Sequence, residues 1–238
     1  PRGGRRDQNF GGALMREIIF DTETTGLDPA TGDRVVEIGC VECINHVPTG
    51  ETFHVYINPE RDMPEAAFKV HGLSTDFLKT KPVFAAIAED FVNFIGDAKL
   101  VAHNAFFDLG FINAELKRLG YDTIDQSRII DTLALARKKN PFGPNSLDAL
   151  CARFGIDNSR RTKHGALLDA EILAEVYLEM MGGRQTGLDL AAESITITSD
   201  TTIEIVQTRA RPAPLPSRLT ADELAAHNAF IATLGNEA

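Results

Sequence analysis

The 238-residue sequence is poor in cysteine, holds no long apolar run and carries no surplus of basic charge. Each absence excludes something. The three cysteines, Cys40, Cys43 and Cys151, cannot all pair within one chain. Cys40 and Cys43 form a single C-x-x-C inside an apolar, strand-like run. With no second cysteine pair and no histidine at ligand spacing, a zinc site is not expected, and all three read as reduced core residues. No apolar run approaches the roughly 18 residues that a membrane-spanning helix needs. The N-terminus lacks the apolar core of a signal peptide, which makes a cytoplasmic location the expectation. The formal net charge is −10, from 24 Lys and Arg against 34 Asp and Glu. That argues against a protein that coats nucleic acid through bulk positive charge. It leaves open an enzyme that reaches phosphates through divalent cations, because the carboxylates that hold such ions push the balance acidic. Residues 15–182 hold 17 basic and 26 acidic residues, so the surplus sits in the segment that carries the paired acids described below.

Residues 1–14 (PRGGRRDQNFGGAL) are rich in Gly and Arg and show no periodicity. Met15 directly precedes the first apolar run, so 1–14 reads as a disordered N-terminal extension. Residues 15–182 carry the pattern of a folded domain. Residues 16–20 read as a short buried strand, and 34–44 and 51–57 as strands joined by a turn at 48–50. Phe84, Ile87, Phe91 and Ile95 have helical spacing within 83–95. Residues 99–102 form a short strand, followed by a helix over 106–119 that Gly120 stops. Residues 128–130 read as another strand. Helices follow at 132–138, 147–154 and 166–181, the last ended by Gly182 and Gly183. Antiparallel strands first, then strands alternating with helices, give an α/β sheet covered by helices. Residues 183–219, containing TSDTT and RARPAPLPSR, read as a flexible linker. Thr220-Ala-Asp-Glu223 matches a capping box, so 220–238 reads as a terminal helical segment.

The chemistry concentrates at three places. The first strand runs into Asp21-Thr22-Glu23-Thr24-Thr25-Gly26. Side chains alternate along a strand, so Asp21 and Glu23 share one face. Two carboxylates so placed repel unless a cation lies between them. Hard oxygen ligands suit Mg²⁺ or Mn²⁺. Taken alone, the pair reads equally as two solvated acids at a strand exit. The second place is His103-Asn104-Ala105-Phe106-Phe107-Asp108, with Asn104 as a helix N-cap and Asp108 in the first turn. The helix dipole alone also favours an acid there. The third is His164-Gly165-Ala166-Leu167-Leu168-Asp169. It puts Asp169 at the opening of the last helix and His164 on the loop entering it. An imidazole there titrates near neutrality and suits a general base; the alternative is a surface histidine beside a first-turn acid.

Together, Asp21-x-Glu23, Asp108 and His164-x-x-x-x-Asp169 resemble the DEDD exonuclease superfamily in its histidine-bearing branch, DEDDh. The segments DTETTGL, HNAFFD and NSLDALCARFGIDNSRRTKHGALLDAEILAEVYL are similar to the proofreading epsilon subunits of bacterial DNA polymerase III. The resemblance covers nearly all of 15–182. It implies a ribonuclease H-like fold, with a mixed five-stranded sheet and helices on both faces, and two-metal phosphodiester hydrolysis with Mg²⁺ or Mn²⁺. By the same resemblance, Asp21, Glu23 and Asp169 would hold the first ion, Asp21 would bridge to a second, and Asp108 would complete the site. His164 would deprotonate the attacking water. The implied activity is 3′→5′ removal of deoxynucleoside 5′-monophosphates from a single-stranded DNA 3′ end. A mismatched terminus would be preferred, since it is already unpaired. Thr24, Gly26, His71 (in Val70-His71-Gly72) and Asn104 would bind substrate, with Phe107 beside the nucleotide or in the core. Glu65 stands one position off the family's usual glutamate spacing. Arg160-Arg161-Thr162-Lys163 reads either as a DNA-backbone contact or as a solvated loop. Asp131 and Asp148 read as caps or structural acids.

Gln185-Thr-Gly-Leu188-Asp-Leu190 resembles the clamp-binding motif Gln-x-x-Leu-x-Leu/Phe of bacterial replication proteins. Residues 220–238 resemble the segment with which an epsilon subunit grips the polymerase subunit. The implied partners are a single-stranded DNA 3′ end, the polymerase catalytic subunit, the sliding clamp through Gln185, Leu188 and Leu190, and a small accessory subunit. Tethering through such segments raises the effective concentration of the partners. The competing reading is a free-standing DEDDh nuclease of RNA maturation or DNA repair. A non-catalytic binding module on this fold ranks below both, because all four acids and the histidine are present.

Overall fold

The computed structural model describes residues 14–183 and 220–233. They belong to two units divided between Asp189 and Leu190. Residues 1–13, most of the linker, and the clamp-like motif at Gln185, Leu188 and Leu190 lie outside the described residues.

The first unit is built on one five-stranded sheet, ordered β3-β2-β1-β4-β5. The strands are β1 (Arg16–Thr24), β2 (Val35–Ile44), β3 (Val47–Tyr56), β4 (Lys99–Ala102) and β5 (Ile129–Asp131). The β1–β2 and β2–β3 pairs are antiparallel, whereas β1–β4 and β4–β5 are parallel, so the sheet is mixed. The two-residue period of β1 divides the core into two layers. Ile18 and Phe20 pack with buried residues of α3 (Phe84–Ile95) and α4 (Ala105–Arg118). Ile19 faces the other way and packs with α5 (Thr132–Lys139), α6 (Leu147–Phe154) and α7 (Ala166–Met180). Nine of the fifteen residues of α7 are buried, which marks a helix set into the core, not lying on it. The result is an α/β, ribonuclease H-like fold with helices on both faces of the sheet.

Several local expectations need correction. The first strand does not stop at Phe20. Asp21, Thr22 and Glu23 still pair with Gly39, Ile38 and Glu37 of β2, because ladder hydrogen bonds continue where the apolar run ends. The β2–β3 turn is not at 48–50. It is made by Asn45 (φ 50°) and His46 (φ 69°), the positive-φ pair that a tight two-residue hairpin requires. Pro48 sits inside β3, an edge strand, where a missing N–H is tolerated. Two helices were not anticipated, α1 (Glu65–His71) and α2 (Thr75–Leu78). Each buries a single residue, His71 and Leu78, so neither has an apolar stripe to read. Asn104 takes the N-cap position of α4 but makes no side-chain cap bond and has φ 67°. Its N–H instead donates to Asp131 Oδ1 (3.1 Å), the oxygen that also accepts from Leu133 N–H and caps α5. The three cysteines are free and buried, as expected.

In the second unit, α8 (Ala221–Thr233) begins with the anticipated capping box. Glu223 N–H donates to Thr220 Oγ1 (3.3 Å), and Thr220 N–H donates to Glu223 Oε2 (2.8 Å). Among the described residues no helix is long and apolar enough to cross a membrane.

Candidate active site

Three segments deliver acids to the end of β1. Asp21 and Glu23 continue the alternation of Ile19 and emerge toward α7, while Thr22 emerges toward α4. From the α4 side, Asp108 in the first turn accepts from Thr22 Oγ1 (2.6 Å) and Thr22 N–H (3.0 Å). From the other side, α7 brings Asp169 in its own first turn. This approach depends on Gly39, the β2 partner of Asp21. A Cβ at Gly39 would overlap the backbone of Ala166 and Leu167. The missing side chain is therefore what lets the first turn of α7 lie against the sheet beside Asp21.

Glu23, His164 and Asp169 offer ligand atoms that all lie within 4.8 Å of one another. A cavity of about 580 Å³ opens at this point, lined by Asp21, Glu23, Thr24, Gly26, His71, Asp108 and His164. Asp169 is buried and adjoins the cavity through His164, whose Nδ1 is 3.4 Å from Asp169 Oδ2. Asn104 is exposed and stands apart from the lining. Phe107 does line it, joined by Ala66, Ala67 and Val70 of α1, an apolar wall that the sequence did not disclose. Glu65 points elsewhere; it is exposed and paired with Lys69 (2.6 Å). His71 Nδ1 accepts from Leu73 N–H (3.0 Å), which leaves the ring hydrogen on Nε2, buried and without a partner. Burial also lowers the pKa of His71, with the Thr24 backbone opposing the shift.

The carboxyls are crowded. Burial, then Asp108, Glu23 and Asp169, hold Asp21 well above the usual carboxylate range. Glu23 is pushed up to about 8 by burial and then by Glu37 across the β1–β2 pair. Asp108 is pushed up to about 7 by burial, against the hydrogen bonds from Thr22. Glu23 Oε1 is buried with no hydrogen-bond partner. An all-oxygen donor set with an unspent oxygen and mutual repulsion fits a hard divalent cation.

These shifts set a pH dependence. The folded pKa of Glu23 lies above its unfolded value, so the folded state keeps a proton that the unfolded chain has released. The contribution of Glu23 to stability is therefore lost as pH rises from about 4.5 to about 8. In EDTA, the wild type should lose melting temperature relative to Glu23→Gln across this window, and excess Mg²⁺ should reverse the loss. Melts that show the wild type gaining on the variant as pH rises would contradict this.

Sequence reasoning named Arg161 only within a basic run and missed its contact with Asp169. Its Nε and Nη2 donate to the two oxygens of Asp169 (2.6 and 2.8 Å), and Nη1 donates to Asp148 Oδ1 (2.9 Å). Nη2 also lies 2.8 Å from His164 Nδ1. The side chain is 11% exposed, whereas that of neighbouring Arg160 is 69% exposed and only 3.7 Å from Glu171. Nothing in the order Arg160-Arg161-Thr162-Lys163 tells the two arginines apart; the path of the loop does. Asp148, read as a structural acid, is the outer anchor of Arg161. Glu37, buried beside Glu23, pairs with His54 Nε2 (2.7 Å) and was likewise not anticipated.

The RNase T-type family described as Exonuclease matches residues 18–177. DNA polymerase III subunit epsilon of Rickettsia felis is 49% identical over 223 residues, covering 92% of this chain and 97% of that one. The chain belongs to the epsilon-subunit exonucleases. The epsilon subunit of Escherichia coli is 50% identical over 191 residues, covering 77% of this chain and 78% of that one. Among solved structures, exonuclease X in complex with 5′-overhanging duplex DNA superposes with a TM-score of 0.52 at 25% identity, over 70% of this chain and 90% of that chain. The nuclease domain of 3′hExo, a DEDDh family member bound to rAMP, gives 0.61 at 17% identity, over 71% and 93%, and speaks to the fold alone. The activity of this epsilon-subunit exonuclease is 3′→5′ hydrolysis of DNA in proofreading.

Proposed function

We propose that the chain removes mispaired nucleotides from single-stranded DNA 3′ ends beside a polymerase catalytic subunit, by two-metal hydrolysis at the end of β1. The observation that carries this reading is the convergence of Asp21, Glu23 and Asp108 on one cavity lined also by His164, with Asp169 clustered beside Glu23 and His164. Asp21, Glu23 and Asp169 would hold one Mg²⁺ or Mn²⁺, and Asp21 with Asp108 a second. Cations so held supply charge stabilisation for the entering and leaving oxygens of the phosphodiester. The rest falls to the protein. His164, with its side chain half exposed, takes the proton of the attacking water. His71 Nε2–H donates to the terminal nucleotide, whose base packs on Ala66, Ala67, Val70 and Phe107. Thr24 and Gly26 border the same nucleotide. A frayed end enters such a cavity at less cost than a paired one, which is the origin of mismatch preference.

The division into an extension at 1–14, a nuclease domain at 15–182, a linker at 183–219 and a polymerase-binding segment at 220–238 belongs to the same proposal. So does clamp binding through Gln185, Leu188 and Leu190. Kinship with epsilon subunits over 92% of the chain supports it, as does a terminal helix with its own capping box. With Mg²⁺, a 3′-mismatched DNA primer should be shortened faster than a matched one or an RNA counterpart. In pull-downs, the full chain should retain polymerase and clamp, and a chain ending at residue 183 should lose both. Preference for RNA, together with unchanged pull-downs, would favour a free-standing nuclease instead.

A further inference from the structure

We propose that Arg161 is a positioning residue that competes with the divalent cation for Asp169. The inference rests on the reading of Asp169 as a metal ligand. Both oxygens of Asp169 are engaged by Arg161, at 2.6 and 2.8 Å. Each oxygen keeps a second lone pair, so a cation and the guanidinium compete at this carboxylate through charge and space. The same guanidinium lies against the His164 ring, with Nη2 2.8 Å from Nδ1 and 3.4 Å from Nε2. A divalent cation on Asp169 would meet this fixed positive charge at contact distance, and loading it favours the withdrawal of Arg161.

The withdrawal has a destination. Asp148, on α6, already holds Nη1 at 2.9 Å, and its side chain is 61% exposed. Arg161 can therefore leave Asp169 without losing its last ion pair. The need to reach two acids and an imidazole at once explains an arginine here, since a lysine has one donor point and no fork.

The test uses the full chain, with Mn²⁺ alone as the calorimetric probe, in wild type, Arg161→Gln, Arg161→Lys and Asp169→Asn. Arg161→Gln should lower the Kd for Mn²⁺ by roughly tenfold, the weight of one hydrogen bond to a charged group. Its melting temperature should fall in EDTA and return to near the wild-type value in Mn²⁺. Arg161→Lys should recover part of the wild-type Kd. An unchanged or weaker Mn²⁺ affinity in Arg161→Gln overturns the proposal, as does an equal loss of melting temperature with and without Mn²⁺. If Asp169→Asn leaves Mn²⁺ binding intact, the reading of Asp169 as a ligand has failed. If Asp169→Asn abolishes binding and Arg161→Gln changes nothing, only the role of Arg161 has.

Discussion

Asp21→Ala should lose at least about 10³-fold of exonuclease activity while the metal-free protein melts no lower than wild type. The two effects have opposite signs because one carboxylate has two relations to its surroundings. In the proposed reaction it is the acid at the centre of the cluster, near Glu23 on its own strand, Asp108 of α4 and Asp169 of α7. In the fold it is a half-buried group whose ionised form is opposed first by burial and then by those same three acids. Alanine removes the repulsion together with the chemistry. Asp108→Ala should behave differently, because Asp108 accepts from both Thr22 N–H and Thr22 Oγ1. Its removal leaves two buried donors unsatisfied, at about 1–3 kcal/mol each, so activity and stability should fall together. Primer digestion in Mg²⁺ alongside melts in EDTA separates the two cases. An Asp21→Ala protein that digests primers at the wild-type rate removes β1 from the mechanism.

The acids were legible in the sequence because their signals are local. The i, i+2 spacing of Asp21 and Glu23 needs only a strand, and Asp108 and Asp169 need only to open a helix. Long helices were legible for the same reason: Phe84, Ile87, Phe91 and Ile95 mark α3 by period alone, and all four are buried. What was not legible depends on partners distant in the chain. The extension of β1 through Thr24 is written in the ladder with β2, not in hydropathy. Pro48 and Gly50 look like a turn until β3 is known to be an edge strand. The helix α1 exposes most of its surface on one side and lends Ala66, Ala67 and Val70 to the cavity on the other, so it shows no stripe. Arg161 is the plainest case. It lies three residues before His164 and eight before Asp169, yet its inward turn depends on how the fold presents Asp169 on one side and Asp148 of α6 on the other.

Gly39→Ala should disable the enzyme from a position that carries no functional group. Gly39 sits opposite Asp21 on β2, and its missing side chain is the space into which the backbone of Ala166 and Leu167 fits. A methyl group there meets main chain, not the tip of a flexible side chain, so α7 must move as a unit. Overfilling of this kind costs about 1–3 kcal/mol. The larger consequence is positional, because Asp169 rides on the first turn of α7 and Asp21 does not. A shift of about 1 Å between groups that act together can cost about 10²-fold in rate. Gly110→Ala is the matched control. Gly110 lies within α4 with open space around an added Cβ, so alanine there should stabilise by up to about 1 kcal/mol and leave the rate alone. Digestion rates and melts of the two variants check the argument. Equal rates for Gly39→Ala and Gly110→Ala would mean that the contact between β2 and α7 does not set the spacing of the acids.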